Sequence, residues 1–278
     1  MTKITSHLII VGVGLLGSSI GLAVKKRGLA DTVIGIDHCR KTLDIALRRE
    51  AVDVTATELA GLTEVNDGLA VICTPVCSIA SHAERIAEMS GNLLISDVGS
   101  TKTSICHEME QRVLPRGCRF IGAHPIAGSE KSGPESGDAD LFQNRLTVLT
   151  PIASSRSEDI ERLQHFWESL DSYVRILEPR EHDAILAKTS HLPHALAASL
   201  ASLLTEAEHP FCGTGFADMT RIASGPATVW TDIFLDNRLQ LLAFLEVFGN
   251  RLETLKTALQ DSDAAAITRF LKSAQKKF

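Results

Sequence analysis

Leu8-Ile9-Ile10-Val11-Gly12-Val13-Gly14-Leu15-Leu16-Gly17 is the stretch that decides how this chain folds. Leu8 to Val11 is a short unbroken apolar run, the pattern of a strand buried on both faces of a parallel sheet. It runs into three glycines spaced G-x-G-x-x-G and then into helix-compatible residues, Ser18 to Arg27. In that setting the first glycine allows a tight turn and the second lets backbone approach a pyrophosphate. The third lets the following helix pack closely on the strand, and the helix N-terminus offers the positive end of its dipole. Val33-Ile34-Gly35-Ile36-Asp37 reads as the next strand, and Asp37 falls about 20 residues past the glycines, where a carboxylate takes ribose hydroxyls. Gly12, Gly14, Leu15, Leu16, Gly17 and Asp37 are therefore candidate dinucleotide contacts. Asp37 would repel a 2′-phosphate, so NAD is favoured over NADP. Arg40, just beyond it, reads as a solvated residue opening a helix over Lys41 to Arg49.

The alternation of strand and helix continues outward from this unit. Leu69-Ala70-Val71-Ile72-Cys73 is a buried strand ending in Thr74-Pro75, with a helix over Ile79 to Met89. Leu93 to Asp97 is another, followed by Val98-Gly99-Ser100-Thr101-Lys102 and a helix from Thr103. Arg119 to Ala123 is a strand that delivers His124, and the proline after it keeps that histidine in extended backbone. Thr147 to Thr150 and Tyr173 to Leu177 flank a helix over Asp159 to Leu170. This pattern predicts an α/β fold, a Rossmann-like doubly wound and mainly parallel sheet. Ligands of such sheets bind beyond the carboxyl ends of the strands. Thr74, Pro75 and Asp97 thereby join the cofactor contacts, and Ser100 and His124 face the same crevice.

After Glu178-Pro179 strand-like runs vanish, and Ala/Leu-rich helical segments take over at Glu181 to Glu208, Pro226 to Phe248 and Arg251 to Lys277. The expected division is a dinucleotide-binding domain over 1–178 and an all-helical C-terminal domain over 179–278, for substrate binding and dimerisation. The long apolar helices carry more apolar surface than one monomer covers, which points to a homodimer. Ser190-His191-Leu192-Pro193-His194 puts two histidines at i and i+3, neighbours if the helix continues through the proline. They lack obvious third and fourth metal ligands, so they read as hydrogen-bonding groups with no metal site. Asp218 and Arg221 share the same spacing, one that lets an aspartate hold an arginine for bidentate recognition of a carboxylate.

The chain has 278 residues, a net charge of −6 and six cysteines with no CxxC pair. Apolar content of 44% and charged content of 22% are those of an ordinary soluble protein. No basic block precedes the Lys276-Lys277 tail, which argues against nucleic acid or an anionic membrane as partner. There is no signal-peptide layout and no apolar run of the ~18 residues needed to span a bilayer, so a cytoplasmic location with reduced thiols is expected.

Gly122-Ala123-His124-Pro125-Ile126-Ala127-Gly128-Ser129-Glu130-Lys131-Ser132-Gly133 resembles the signature loop of the prephenate/arogenate dehydrogenases, the TyrA family of tyrosine biosynthesis. The resemblance extends to Asp97 to Lys102, Ser190 to His194, Gly215 to Ala223, Trp230 to Phe234 and the N-terminal glycine turn. Thr214 departs from it, since many relatives have another glycine there. The resemblance implies NAD-dependent oxidative decarboxylation of prephenate to 4-hydroxyphenylpyruvate and CO2. It implies that His124 contacts the ring hydroxyl with help from Ser100, and that His194 and Arg221 bind the substrate with Asp218 orienting Arg221. Glu130 would sit at the site entrance and Trp230 at the site, reaching across a dimer interface. No appended ACT domain or fused chorismate mutase is expected. The alternatives are an arogenate or dual-specificity cyclohexadienyl dehydrogenase, a β-hydroxyacid dehydrogenase using Lys188, and a non-catalytic NAD-binding regulator.

Overall fold

The opening apolar run forms β1 (Thr5–Val11), an interior strand of an eight-stranded sheet. The other strands are β2 (Ala30–Ile36), β3 (Val54–Ala56), β4 (Leu69–Ile72), β5 (Leu94–Asp97), β6 (Arg119–Pro125), β7 (Leu146–Thr150) and β8 (Tyr173–Ile176). The computed structural model describes residues 3–59, 65, 68–89, 92–128 and 131–275. Strand order is β3-β2-β1-β4-β5-β6-β7-β8, and β1 to β6 run parallel. The order reverses between β1 and β4, the switch point where doubly wound sheets open a ligand crevice.

Alternate side chains of each strand feed two cores. Leu8 and Ile10 pack on one face with Ile20, Val24, Phe142, Phe166 and Trp167. Ile9 and Val11 pack on the other with Ile72, Ile79, Ile86, Ile95, Met109 and Phe120. The helices that cover the faces are α1 (Leu15–Arg27), α2 (Arg40–Arg48), α3 (Val76–Met89), α4 (Thr103–Arg112) and α5 (Ser157–Glu168).

Two features of the sheet depart from the sequence pattern. The three-residue β3 was too short to leave an alternation. β7 pairs antiparallel with β6, and β8 then follows β7 in parallel, so the last two strands run against the first six. The link from β6 to β7 holds a short 3₁₀ turn (Pro134–Ser136) and no α-helix among its described residues, so the chain returns without a crossover.

Beyond β8 the chain is helical: α6 (Pro179–Leu186), a π turn (Ala187–His191), α7 (Leu192–Ala201), α8 (Thr214–Thr220), α9 (Ala227–Asp236), α10 (Arg238–Gln260) and α11 (Ala264–Gln275). Glu178 caps α6, its carboxylate accepting the backbone N–H groups of Arg180 at 3.0 Å and Glu181 at 3.2 Å. The helical segment expected over Glu181 to Glu208 runs through α6, the π turn and α7 and ends at Ala201, ahead of a 3₁₀ stretch (Glu206–Phe211). Pro193 has no N–H, and the wide turn before it, closed by Leu192 N–H to the Ala187 carbonyl, lets the helix pass through. The helix expected over Pro226 to Phe248 breaks at Asn237, whose side chain turns inward to bond the Asp183 carbonyl at 2.8 Å. A further break falls at Ser262, which adopts φ 52° between α10 and α11. No helix among the described residues is long and apolar enough to cross a membrane.

Candidate active site

The glycine turn shows what each glycine does. Gly12 adopts φ +90°, and a Cβ there would meet the Cys73 carbonyl oxygen and Thr74 Cγ2 at 2.9 Å. A Cβ on Gly17 would lie 2.2 Å from the Gly12 carbonyl oxygen. Gly14 differs, because a Cβ there meets no protein atom within 4 Å. Its open side is where an outside group can approach the backbone. Gly14 is also the residue capping α1, with no side chain bonding the first turn and no acidic residue in it. That leaves the N–H groups of the turn over Leu15, Leu16 and Gly17 as an anion cradle. Asp37 lies at the tip of β2, with Oδ2 accepting the Val13 N–H at 3.1 Å and Oδ1 the Cys39 N–H at 2.9 Å. The turn, the uncapped helix and the carboxylate fit the pyrophosphate and ribose of a dinucleotide. Thr74 closes the adjacent side of the crevice, its buried hydroxyl lacking a protein partner, and the Pro75 carbonyl starts α3 by accepting from Ser78.

Asp97, at the end of β5, is fully enclosed, with Oδ2 accepting the Gly99 N–H at 2.8 Å and ion-paired with the fully buried Lys102. Oδ1 accepts the Ala123 N–H at 3.2 Å. Both oxygens are engaged, and Asp97 ties β5 to β6.

His124 stands at the carboxyl end of β6, opposite Val148, and is 9% exposed. Its Nδ1 lies 2.9 Å from Nε2 of His182, and His182 Nδ1 lies 2.8 Å from Asp183 Oδ1. Burial, then the neighbouring His182 and Lys102, push the His124 pKa well below the ordinary imidazole value. Ser100 is half-buried nearby. No hydrogen bond joins it to His124, whose Nδ1 partner is His182.

The wall facing His124 comes from the helical half. The π turn and α7 bring His191 and His194 onto the same Trp230 ring, with centroids 6.3 Å and 3.5 Å away. His194 lies flat against the indole at an interplanar angle of 11°, within its own chain. Burial pushes the His191 pKa down to about 4 and lowers that of His194 as well. Nδ1 of His194 and Nε2 of His191 are buried without a protein partner. Gly225 lies against this stack, where a Cβ would fall 2.5 Å from Trp230 Nε1 and 3.3 Å from His194 Cε1.

A stability effect follows for His191. In the folded chain it stays neutral down to about pH 4, whereas the unfolded chain takes the proton near its model value of 6.5. Between those values the unfolded state binds more protons, so stability falls as pH falls through that window. Thermal unfolding midpoints measured across it should drop on acidification and flatten in His191→Asn.

Asp218 and Arg221 are both exposed and form no ion pair. Helical backbone persists to Arg221, whose N–H bonds the Ala217 carbonyl before a 3₁₀ turn (Arg221–Ser224), so the spacing is kept and still does not bring the two side chains together. Glu130 lies outside the described residues.

His182, Asp183 and Asn237 were not singled out in the sequence. Their signal lies in helical spacing, since His182, Asp183, Leu186 and Ala187 form one buried stripe of α6 and its extension. A histidine and an aspartate on an inward stripe require partners.

Residues 20–176 match the nucleotide-binding domain of prephenate dehydrogenase, and residues 178–273 match its dimerization domain. The chain is 32% identical over 284 residues to the prephenate dehydrogenase of Bacillus subtilis, covering 99% of this chain and 76% of that protein. It is 31% identical over 278 residues to the cyclohexadienyl dehydrogenase of Zymomonas mobilis, covering 97% of this chain and 94% of the relative. Among solved structures, prephenate dehydrogenase from Aquifex aeolicus in complex with hydroxyphenyl propionate and NAD+ superposes with a TM-score of 0.91 at 28% identity, over 100% of this chain and 97% of that one. An NAD-type turn at the sheet's switch point, a buried histidine at a strand end and this whole-length similarity converge: the chain is an oxidoreductase of the prephenate dehydrogenase family.

Proposed function

We propose that the protein oxidises and decarboxylates prephenate, giving 4-hydroxyphenylpyruvate and CO2, with NAD as acceptor. The observation that carries this reading is His124, a buried neutral imidazole at the carboxyl end of β6 with His182 of the helical half against it. The glycine turn and Asp37 would hold NAD, which would supply the hydride acceptor for C4 of the ring. His124 accepts the C4 hydroxyl proton as that hydride leaves, a role suited to an imidazole that stays neutral near pH 7. The resulting ketone is conjugated through the ring to the carbon bearing the ring carboxylate. The C–CO2 bond then breaks, its electrons make the ring aromatic, and the phenolic oxygen recovers a proton from His124. The chain needs no further base for that step.

Ser100 contacts the reacting hydroxyl, and the unpartnered nitrogens of His191 and His194 supply hydrogen bonds to the rest of the substrate. Trp230 fixes His194 by stacking on it. Arg221 anchors the side-chain carboxylate, because tight pairing to the departing carboxylate would oppose its loss. Arg221→Ala should raise the prephenate KM roughly 10- to 100-fold, the cost of about 1.5–3 kcal/mol for a lost charged hydrogen bond. A large fall in kcat at unchanged KM would contradict anchoring.

The division at Glu178 separates cofactor binding from the helical part, which pairs two chains. Leu203, Phe211, Leu239, Leu242 and Val247 are exposed on that part, an apolar surface suited to a second copy. Six unpaired cysteines suit the reducing cytoplasm.

Arogenate differs from prephenate only in the amino group of its side chain, and the similarity to a cyclohexadienyl dehydrogenase makes dual use the second reading. NADH formation followed with each substrate under NAD and then NADP tests both. Turnover of prephenate with NAD is expected, and no turnover of either substrate would sink the proposal.

A further inference from the structure

A line of buried polar groups runs from the start of α4 to His124, and the reaction as described above leaves most of it unused. The carboxylate of Asp183 receives the backbone N–H groups of Lys102 and Thr103, each at 2.8 Å. It thereby caps α4 from a different part of the chain. Its Oδ1 also meets Nδ1 of His182 at 2.8 Å. His182 is fully buried, and its other nitrogen, Nε2, meets Nδ1 of His124 at 2.9 Å with the two rings 64° apart. Asn237 donates to the Asp183 carbonyl at 2.8 Å and pins α6 from behind.

The proton positions along this line follow from donor and acceptor chemistry. A carboxylate only accepts hydrogen bonds, so the proton between Asp183 and His182 belongs to His182 Nδ1. Burial alone would raise the Asp183 pKa, but hydrogen bonds from His182, Thr103 and Lys102 hold it below the usual aspartate value and keep the carboxylate ionised. With its proton on Nδ1, His182 presents a lone pair at Nε2. The bond to His124 can then form only if His124 donates from Nδ1. The remaining nitrogen of His124, Nε2, is left unprotonated. The hydrogen bond at one ring nitrogen decides which tautomer the other can use.

We propose that His182 and Asp183 are positioning residues that set the tautomer of His124, so that Nε2 is the atom that takes the substrate proton. This rests on the reading of His124 as the proton acceptor. When Nε2 becomes protonated, Nδ1 continues to donate to His182, so no hydrogen bond along the line has to rearrange during the transfer. Asp183, one imidazole further on, is the anion that balances the new charge. A purely space-filling His182 would need only its shape, whereas a tautomer-setting one needs an acceptor where Nε2 lies.

Two substitutions separate those roles. His182→Gln places an amide oxygen towards His124 and its NH2 towards Asp183, which keeps both ends of the line. His182→Leu keeps the bulk and removes the acceptor. The full chain with NAD bound is labelled with 15N in its histidines, and the His124 ring shifts are read beside kcat, the prephenate KM and the thermal midpoint. Wild type and His182→Gln should both show His124 protonated at Nδ1 and bare at Nε2. His182→Leu should show mixed tautomers and a kcat lower by roughly 10- to 100-fold, the range for losing such a supporting contact, with KM within about twofold.

Wild-type His124 carrying its proton on Nε2 would overturn the proposal, and that spectrum stands even if His182→Leu fails to fold. So would His182→Leu with unchanged tautomer and kcat. A His182→Gln variant that loses as much kcat as His182→Leu at an unchanged thermal midpoint would overturn it too. The spectrum requires no turnover, so a wild-type enzyme inactive on prephenate would sink the proposed function while the tautomer is still read on its own.

Discussion

Replacing His124 by asparagine should lower kcat by roughly 10²- to 10⁴-fold, the usual contribution of a positioned proton acceptor, and leave the KM for NAD near its wild-type value. Asparagine keeps a polar group at the end of β6 but has no lone pair basic enough to take the hydroxyl proton. The pH profile of the wild-type enzyme gives a second reading of the same group. Burial, followed by the proximity of His182 and Lys102, holds the His124 pKa well below the ordinary value of 6.5. The group must be neutral to accept a proton, so activity is lost only as pH falls through that lowered value. The acid limb of kcat/KM should therefore lie below pH 6.5 and disappear in His124→Asn. A variant with unchanged kcat would remove His124 from the reaction.

The second large effect is expected in the glycine turn, where two neighbouring glycines should fail in different ways. A Cβ on Gly17 would lie 2.2 Å from the Gly12 carbonyl oxygen and 2.9 Å from Ile10 Cγ2. Neither can yield cheaply. Gly12 is itself pressed against Cys73 and Thr74, and Ile10 is fully buried under α1. Gly17→Ala should therefore push α1 off the sheet, at about 3 kcal/mol of stability without any cofactor, at the upper end of ordinary overpacking costs. For a chain of this size that is a fall of roughly 5 °C in thermal midpoint. Gly14→Ala should leave the midpoint of the cofactor-free protein unchanged, since its Cβ meets no protein atom within 4 Å. The same methyl would occupy the approach to the backbone, so the KM for NAD should rise roughly 10-fold or more, about 1.4 kcal/mol or more of binding. Melting curves with and without NAD, read beside kinetics, separate the two. Equal losses of stability in both variants would contradict the division of labour.

Much of this architecture is written locally. Leu8 to Val11, Leu69 to Ile72 and Leu94 to Asp97 declare buried parallel strands because their neighbours on both faces demand apolar side chains, and the glycine spacing follows from what a turn and a close helix require. His124 was legible for the same reason, as a proline-fixed residue at a strand end. What the sequence hid depends on distance. The reversal of β7 turns on a link without a helix, and nothing in Leu146 to Thr150 records the direction of its partner. The contacts of Asp97 with Lys102 and the Ala123 N–H depend on β6 lying beside β5. Asp218 and Arg221 keep their helical spacing, yet both side chains stay in solvent, which spacing does not record. His182 reaches His124 across 58 residues of chain, so only the packing of α6 on the sheet brings them together.

The most direct test of the central claim is to supply the purified protein with prephenate and NAD and to measure NADH and 4-hydroxyphenylpyruvate in the same sample. The account predicts that the two appear in equal amounts, because one hydride transfer commits the ring to one decarboxylation. Release of 4-hydroxyphenylpyruvate without matching NADH, or cofactor binding with neither product, would contradict it.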